Sequence, residues 1–508
     1  MIAVPATTCS ARFPPPPTVI ELARTGPASR TPSTATTVTA QWVFMIRFLP
    51  QRNRLACAIV SANIAHPLAR SQSTPRAGAT RRVPKAADRQ AQVPAPRPAN
   101  VTDMRLLGLL LGALLVGQGA FAQHDMVSVR DCGARGDGKT DDTAAFEQAV
   151  ARALAARQQV YVPRGEYVLS RTLTLEGTGL TGPLVGAWPA DIDSLPSLLV
   201  PRTGGPALHL LAGASLQGLD FTCGGPAPER TGPPVILISG IGCYLRNLRI
   251  RYPWDGIVTD GKSNVGRLNI ENVFMVSPLN VGVRVTGTWD VPALRNVEVW
   301  NAGPVPRGLE RGVGFHLGKN DLIRVTDCFA FAMRHGFLLE DRIEGCEITG
   351  GTWGLLTGCS TDFCGTGVRV RGENTVSITG GTFWDHGEGL RVEGMGARVR
   401  LTGAELQSNG APAIVVAGGD QTVVTGCTLT RPMTGFPGPV VHQSAGTMVC
   451  NDNVITAAAG PGVRLEPTIV AAVVQGNLMR VTSPQLVDDD TGDRRKALIR
   501  HNLAGDNP

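Results

Sequence analysis

Asp385, His386 and Glu388 fall within one six-residue stretch, "WDHGEG". Two carboxyl groups and an imidazole so close together are the groups that general acid–base chemistry uses. Breaking a glycosidic bond takes one protonated and one ionised carboxyl on either side of the bridging oxygen. His335 in "AMRHG", Asp362 in "STDFCG" and Asp255 in "YPWDG" sit in comparable stretches. Four of the seven tryptophans, Trp254, Trp300, Trp353 and Trp384, lie in or beside them. A flat apolar ring with one polar edge suits the face of a sugar.

The expectation is therefore an acid/base pair of Asp385 and Glu388, tuned by His335 or His386, with Asp362 brought in from a neighbouring repeat. Trp254, Asp255, Trp300, Trp353 and Trp384 would line the binding surface. The plainer reading is that each Trp plugs its own turn and that the Gly-rich turns carry solvated charges.

Arg369, Arg371 and Arg391 alternate in "GVRVRG" and "GLRVEG". They could hold carboxylates bidentately, as a uronate polymer would present. Pairing of Arg371 with Glu340 or Glu393 across neighbouring strands is the simpler account. Elimination from a uronate would need a base beside C5, and with lysine scarce in the repeats that leaves arginine or histidine. No acidic cluster or Cys-x-x-Cys marks a metal site, and no cofactor is called for.

The elements that must position these groups repeat. From about residue 205 a strand recurs as "LRNLRI", "IENVFM", "LRNVEV", "VTDCFA", "IEGCEI", "ITGGTF", "LTGAEL", "VTGCTL", "VCNDNV" and "VQGNLM", the last five copies starting 23, 23, 25 and 25 residues apart. A second strand follows each, for example "GVRVTG", "GFLLE", "GVRVRG" and "GLRVEG". Short alternating strands at such a period, separated by Gly and Asn turns, describe a solenoid. The fold class is all-β: a right-handed parallel β-helix of about ten coils, each stacked about 4.8 Å from the last.

Alternation assigns the faces. Leu248, Val273, Val297, Cys328, Cys346, Ala404 and Cys427 should form one inward column, which makes the cysteines buried small residues rather than metal ligands. The longest turns would be 300–312 and 350–367.

The ends of the chain differ from the repeats. Residues 1–103 are rich in Pro, Thr, Ala and Arg without apolar periodicity, as in a disordered leader or a mis-set start. They hold 13 basic and 3 acidic residues. "MRLLGLLLGALLVGQGAFA" (104–122) reads as a signal peptide, too short in its apolar core to span a bilayer. Residues 123–508 then carry 34 basic and 38 acidic residues, a net charge of about −4. The basic excess belongs to the leader, and nucleic acid is not an expected partner. The expected location is periplasmic or secreted, without a membrane anchor, as a monomer or homotrimer. Nine cysteines follow the signal, and Cys359 with Cys364 is the best candidate disulfide pair.

"GARGDGKT" (133–140) fits the phosphate-binding pattern G-x-x-x-x-G-K-[ST]. A nucleotide-binding domain would need further strand–helix units, and Asp137, Asp141 and Asp142 oppose an anion. A nucleotide is therefore not an expected partner. The helix after the loop carries Phe146, Val150 and Leu154 on one stripe, suited to capping a solenoid. "VRDCGARGDGKTDDTAAFEQAV" followed by "VYVPRGEYVLSRTLTL" resembles the N-terminal signature of the pectate-lyase-like β-helix superfamily, which includes rhamnogalacturonases, epimerase-like proteins and relatives of family 28 glycoside hydrolases. The resemblance covers roughly residues 126–176. It implies a β-helix and a polysaccharide ligand, with residues 123–204 as cap and first coils and 205–508 as the helix proper. The Asn-Thr-Asp, Asp-Asp, Gly-His-Gly and Arg-Ile-Lys elements of family 28 are absent, so none of their catalytic residues transfers. Hydrolysis or β-elimination of a polysaccharide is the leading expectation. A non-catalytic carbohydrate-binding or cell-surface β-helix is the alternative, and a phage-type fibre conflicts with the signal peptide.

Overall fold

The computed structural model describes residues 126–183, 195–200, 204–223, 232–301 and 312–506. The leader and signal peptide lie outside them, as does most of the turn 300–312. Among the described residues one α-helix, Thr143–Ala156, lies at the start of a parallel β-helix. Thirteen strands form one sheet and twenty-six form another, so the coils number about thirteen rather than ten.

Each full coil has three faces, not two strands. In one coil the first face is the start of Tyr244–Arg251, the second its remainder, and the third Asp255–Thr259. The corner between the first two faces falls on a residue with positive φ: Gly218, Asn247, Asn272, Asn296, Asp327, Gly358, Gly380, Gly403, Gly426, Asp452 and Gly476 in successive coils. Only Gly, and Asn or Asp at small cost, enter that conformation readily, which explains the Gly/Asn punctuation of the repeat. The corner asparagines also bond in a chain, Asn272 Nδ2 donating to Asn247 Oδ1 at 2.9 Å and Asn296 Nδ2 to Asn272 Oδ1 at 3.1 Å. Lower down an inward ladder does the same, Asn453 donating to Asn477 and Asn477 to Asn502, each at 2.9 Å.

Leu248, Val273, Val297, Cys328, Ala404 and Cys427 are buried as alternation requires. Cys346 is not in their column. "IEGCEI" forms no strand; it belongs to a loop whose Glu347 and Ile348 amides both donate to Gly261 O, and the strand of that coil is Thr352–Thr357. Cys359 takes the inward place beside Cys328. Residues 350–367 are accordingly three strands, Thr352–Thr357, Ser360–Asp362 and the start of Thr366–Arg371, rather than a long turn. Cys359 and Cys364 are free thiols. A strand rising about 3.3 Å per residue separates them, and their Sγ atoms bond to different carbonyls, those of Val325 and Thr357 and those of Ala330 and Asp362.

The helix buries Phe146, Ala149, Val150 and Ala153 against the first coil, while Leu154, expected on that stripe, is exposed. Phe146 packs edge-on to Tyr167 with centroids 5.4 Å apart. The Gly-rich loop closes on the protein itself: Asp142 accepts the Arg135 and Gly136 amides at 2.7 and 3.1 Å, and Asp137 accepts those of Lys139 and Thr140. The donors that a phosphate would need are occupied.

Candidate functional site

Most of the residues picked from the sequence gather where the second face turns into the third, while Arg369, Arg371 and Arg391 lie along the third face and Trp353 on the first. Trp353 opens a first-face strand opposite Thr375 and is 55% exposed there. Trp254 is buried in its own corner against Gly232. Asp255 begins a third-face strand and accepts hydrogen bonds from Asn280 Nδ2 at 2.9 Å and the Val281 amide at 3.1 Å.

On the third face the arginines and glutamates form one network. Glu393 accepts from Arg369, Arg371 and Arg391; Arg371 also reaches Glu340 at 2.6 Å, and Arg391 reaches Glu388 at 2.6 Å. His316 completes it through Glu340 at 2.8 Å. The cross-coil pairing of Arg371 is thus present with both expected partners. His335 is buried, its Nε2 3.4 Å from Arg369 Nη1. Burial, reinforced by Arg369, pushes its pKa down to about 3, so the ring is neutral.

Asp385 lies on the other side of the wall. Phe383 points inward, and two residues on Asp385 does too, with no exposed surface. Its Oδ2 accepts the Thr361 hydroxyl at 2.7 Å and its Oδ1 the Cys364 amide at 3.0 Å. Burial raises its pKa to about 7. The structure therefore does not bring Asp385 and Glu388 into one open groove.

What it does assemble is a strip on the outside of the second face. Val276, Trp300, Phe331, Asp362 and Trp384 are register partners in successive coils and form one outward column. Phe274, Glu298, Phe329 and Ser360 form the column beside it. The rings touch from coil to coil: Phe274 to Trp300 at 6.1 Å, Trp300 to Phe331 at 6.0 Å, Phe331 to Phe363 at 5.6 Å, and Phe363 to His386 at 4.9 Å between centroids. Parallel in-register stacking makes this a continuous aromatic ladder along the helix axis.

Two carboxyls stand in the ladder. Asp362 lies between Phe331 and Trp384, and burial raises its pKa to about 6. Glu298 lies between Phe274 and Phe329, with burial alone pushing its pKa up to about 7. Such elevation by an apolar wall moves the titration of a carboxyl toward neutral pH. Glu298, Phe274, Phe329, Phe331 and Phe363 carry no motif. The signal for Glu298, Phe274, Phe329 and Phe331 was alternation: Val297 and Val299 face inward, so Glu298 and Trp300 must face out. Phe363 sits on a left-handed corner beyond its strand, φ 56°, which alternation does not place. No grouping of three or more metal-ligating side chains occurs among the described residues, and no helix among them is long and apolar enough to cross a membrane.

Comparison with known proteins agrees with this architecture. Residues 126–191 match the rhamnogalacturonase A/epimerase, pectate lyase-like family, and residues 281–454 match the right-handed β-helix region. The tailspike protein of E. coli bacteriophage HK620 is similar over 73% of this chain and 79% of its own, with a TM-score of 0.52 at 9% identity. The mannuronan C-5 epimerase A-module of Azotobacter vinelandii is similar over 74% of this chain and 99% of its own, with a TM-score of 0.49 at 14% identity. A stretch of 72 residues is 42% identical to the pre-neck appendage protein of Bacillus phage B103, spanning 14% of this chain and 8% of that protein.

Proposed function

We propose that this chain, a right-handed β-helix with a pectate lyase-like N-terminal segment, binds a polysaccharide along the outside of its second face and cleaves it by hydrolysis. The observation that carries this is the axial ladder of Trp300, Phe331, Phe363 and His386, with Asp362 and Trp384 continuing the outward column of Trp300 and Phe331. Rings at about 5 to 6 Å spacing offer stacking faces to successive sugars, and partly exposed aromatics with a nearby carboxyl combine binding with acid–base capacity. The rhamnogalacturonase A/epimerase, pectate lyase-like match of residues 126–191 points the same way, and a periplasmic or secreted location would suit such a substrate.

A non-catalytic binding role is the second reading. It is favoured by the inward position of Asp385 and by the commitment of Glu388 to Arg391. Incubation with dextran, arabinan, polygalacturonate and alginate separates the two, with reducing ends and the ultraviolet absorbance of unsaturated uronates followed together. New reducing ends without that absorbance are expected. Both signals would mean elimination, and binding without either would mean a glycan receptor.

A further inference from the structure

Glu298 and Asp362 are sixty-four positions apart, yet the coil register sets them two coils and two strand positions from each other on one surface. Coils stack about 4.8 Å apart and a strand rises about 3.3 Å per residue, so the Cα atoms are roughly 12 Å apart. From such Cα positions the two carboxyls can stand anywhere from about 6 Å apart, if the side chains lean together, to about 12 Å if they run parallel, wider than the ~5.5 Å of a carboxyl pair that attacks the sugar directly. They approach the ~6.5–9.5 Å that accommodates a water molecule. Phe329 and Phe331 occupy the coil between them, and these rings form the floor on which a sugar would rest. Neither carboxyl makes an ion pair among the described residues, whereas the third-face glutamates Glu340, Glu388 and Glu393 are all held by arginines.

We propose that Glu298 is the proton donor and Asp362 the water-activating base of an inverting hydrolysis, with the scissile bond lying over Phe329 and Phe331. This rests on the ladder being a glycan-binding surface. In the step, the Glu298 carboxyl gives its proton to the glycosidic oxygen as the bond from that oxygen to the anomeric carbon breaks. A water on the opposite side forms the new bond to the anomeric carbon and gives a proton to Asp362. The products are two shorter chains, one with a new reducing end, an ionised Glu298 and a protonated Asp362. Exchange with solvent restores both. The two roles follow from surroundings: Glu298 is walled by Phe274, Phe329 and the neighbouring Trp300, while Asp362, between Phe331 and Trp384 at the end of its strand, titrates lower and is the first of the two to ionise.

The test uses the full chain, wild type and the variants Glu298→Gln and Asp362→Asn, on whichever polymer of the panel wild type cleaves. The anomer of the freshly released reducing end is followed by NMR. Inversion is expected, with each variant slowed about 10²–10⁴-fold and its thermal unfolding unchanged. An aryl glycoside of the same sugar, whose leaving group needs no proton, should recover most of the rate in Glu298→Gln and none in Asp362→Asn. Retention of configuration, or wild-type rates in Glu298→Gln, would overturn the assignment and leave polysaccharide cleavage standing. Absence of turnover by wild type on a polymer that it binds would overturn both.

Discussion

Asp385 and Glu388 are three residues apart and face opposite sides of the β-helix wall: Asp385 holds Thr361 and Cys364 inside, and Glu388 holds Arg391 outside. A carboxyl sealed in the core is neutral where water would ionise it, because the charged form has lost its solvation.

Stability should therefore depend on pH through Asp385. Its pKa is raised from 3.8 to about 7 in the folded chain. The stabilisation from keeping it neutral is complete below the unfolded value and is lost as pH rises through about 7. The span amounts to about 4 kcal/mol as an upper bound. Asp385→Asn keeps an acceptor without the charge, so it should unfold at a urea midpoint that changes less between about pH 5 and pH 8 than that of wild type. Equal slopes in the two proteins would remove this account.

Catalysis should follow a bell. With Asp362 at about 6 and Glu298 at about 7, kcat/KM rises as Asp362 ionises and falls as Glu298 loses its proton. The optimum belongs between those values. A plateau that persists well into alkaline pH would show that some other group donates the proton.

Two tryptophans with similar exposure should behave differently. Trp384 shares the outward column of Asp362, whereas Trp353 stands on the first face. Trp384→Ala should weaken polysaccharide affinity about tenfold, in line with ~1–1.5 kcal/mol for one aromatic contact. Trp353→Ala should leave it unchanged. Titration by calorimetry decides, and an equal loss in both would move the binding surface away from the second face.

The cap offers a paired comparison of its own. Phe146 is wholly buried against the first coil, while Leu154 is 45% exposed. Phe146→Asp should cost about 4 kcal/mol or more, since it combines a cavity with a buried charge. Leu154→Asp should stay within about 0.5 kcal/mol. Thermal melts of the two variants that coincide would mean that the helix does not seal the end.

The period was legible because each coil spends a Gly, Asn or Asp on the same left-handed corner, and alternation around it fixed which side chains go inward. The split of the first recurring strand into two faces was harder to see, since "ITGGTF" holds the end of one short strand, a corner and the start of the next in six residues. The stretch "IEGCEI" copies the composition of the repeat, yet its chain folds back onto Gly261 and its hydrogen bonds go there. Asp385 could have been placed from Phe383, which must be inward and so carries Asp385 with it. The chemical appeal of "WDHGEG" outweighed that parity. Glu298 and Phe331 were legible only as outward positions, because the two adjacent columns that hold them run across coils, where register neighbours are about 22 to 31 residues apart.

The second face also behaves as a ruler. Every coil adds one step of about 4.8 Å to each outward column and alters nothing in the cross-section. Groove length and groove chemistry are thus set by separate parts of the sequence. Excising a whole coil below Trp384 would shorten the reach for a long polymer by one step while Glu298, Phe329, Phe331 and Asp362 kept their spacing, so chain-length preference and bond choice could drift independently.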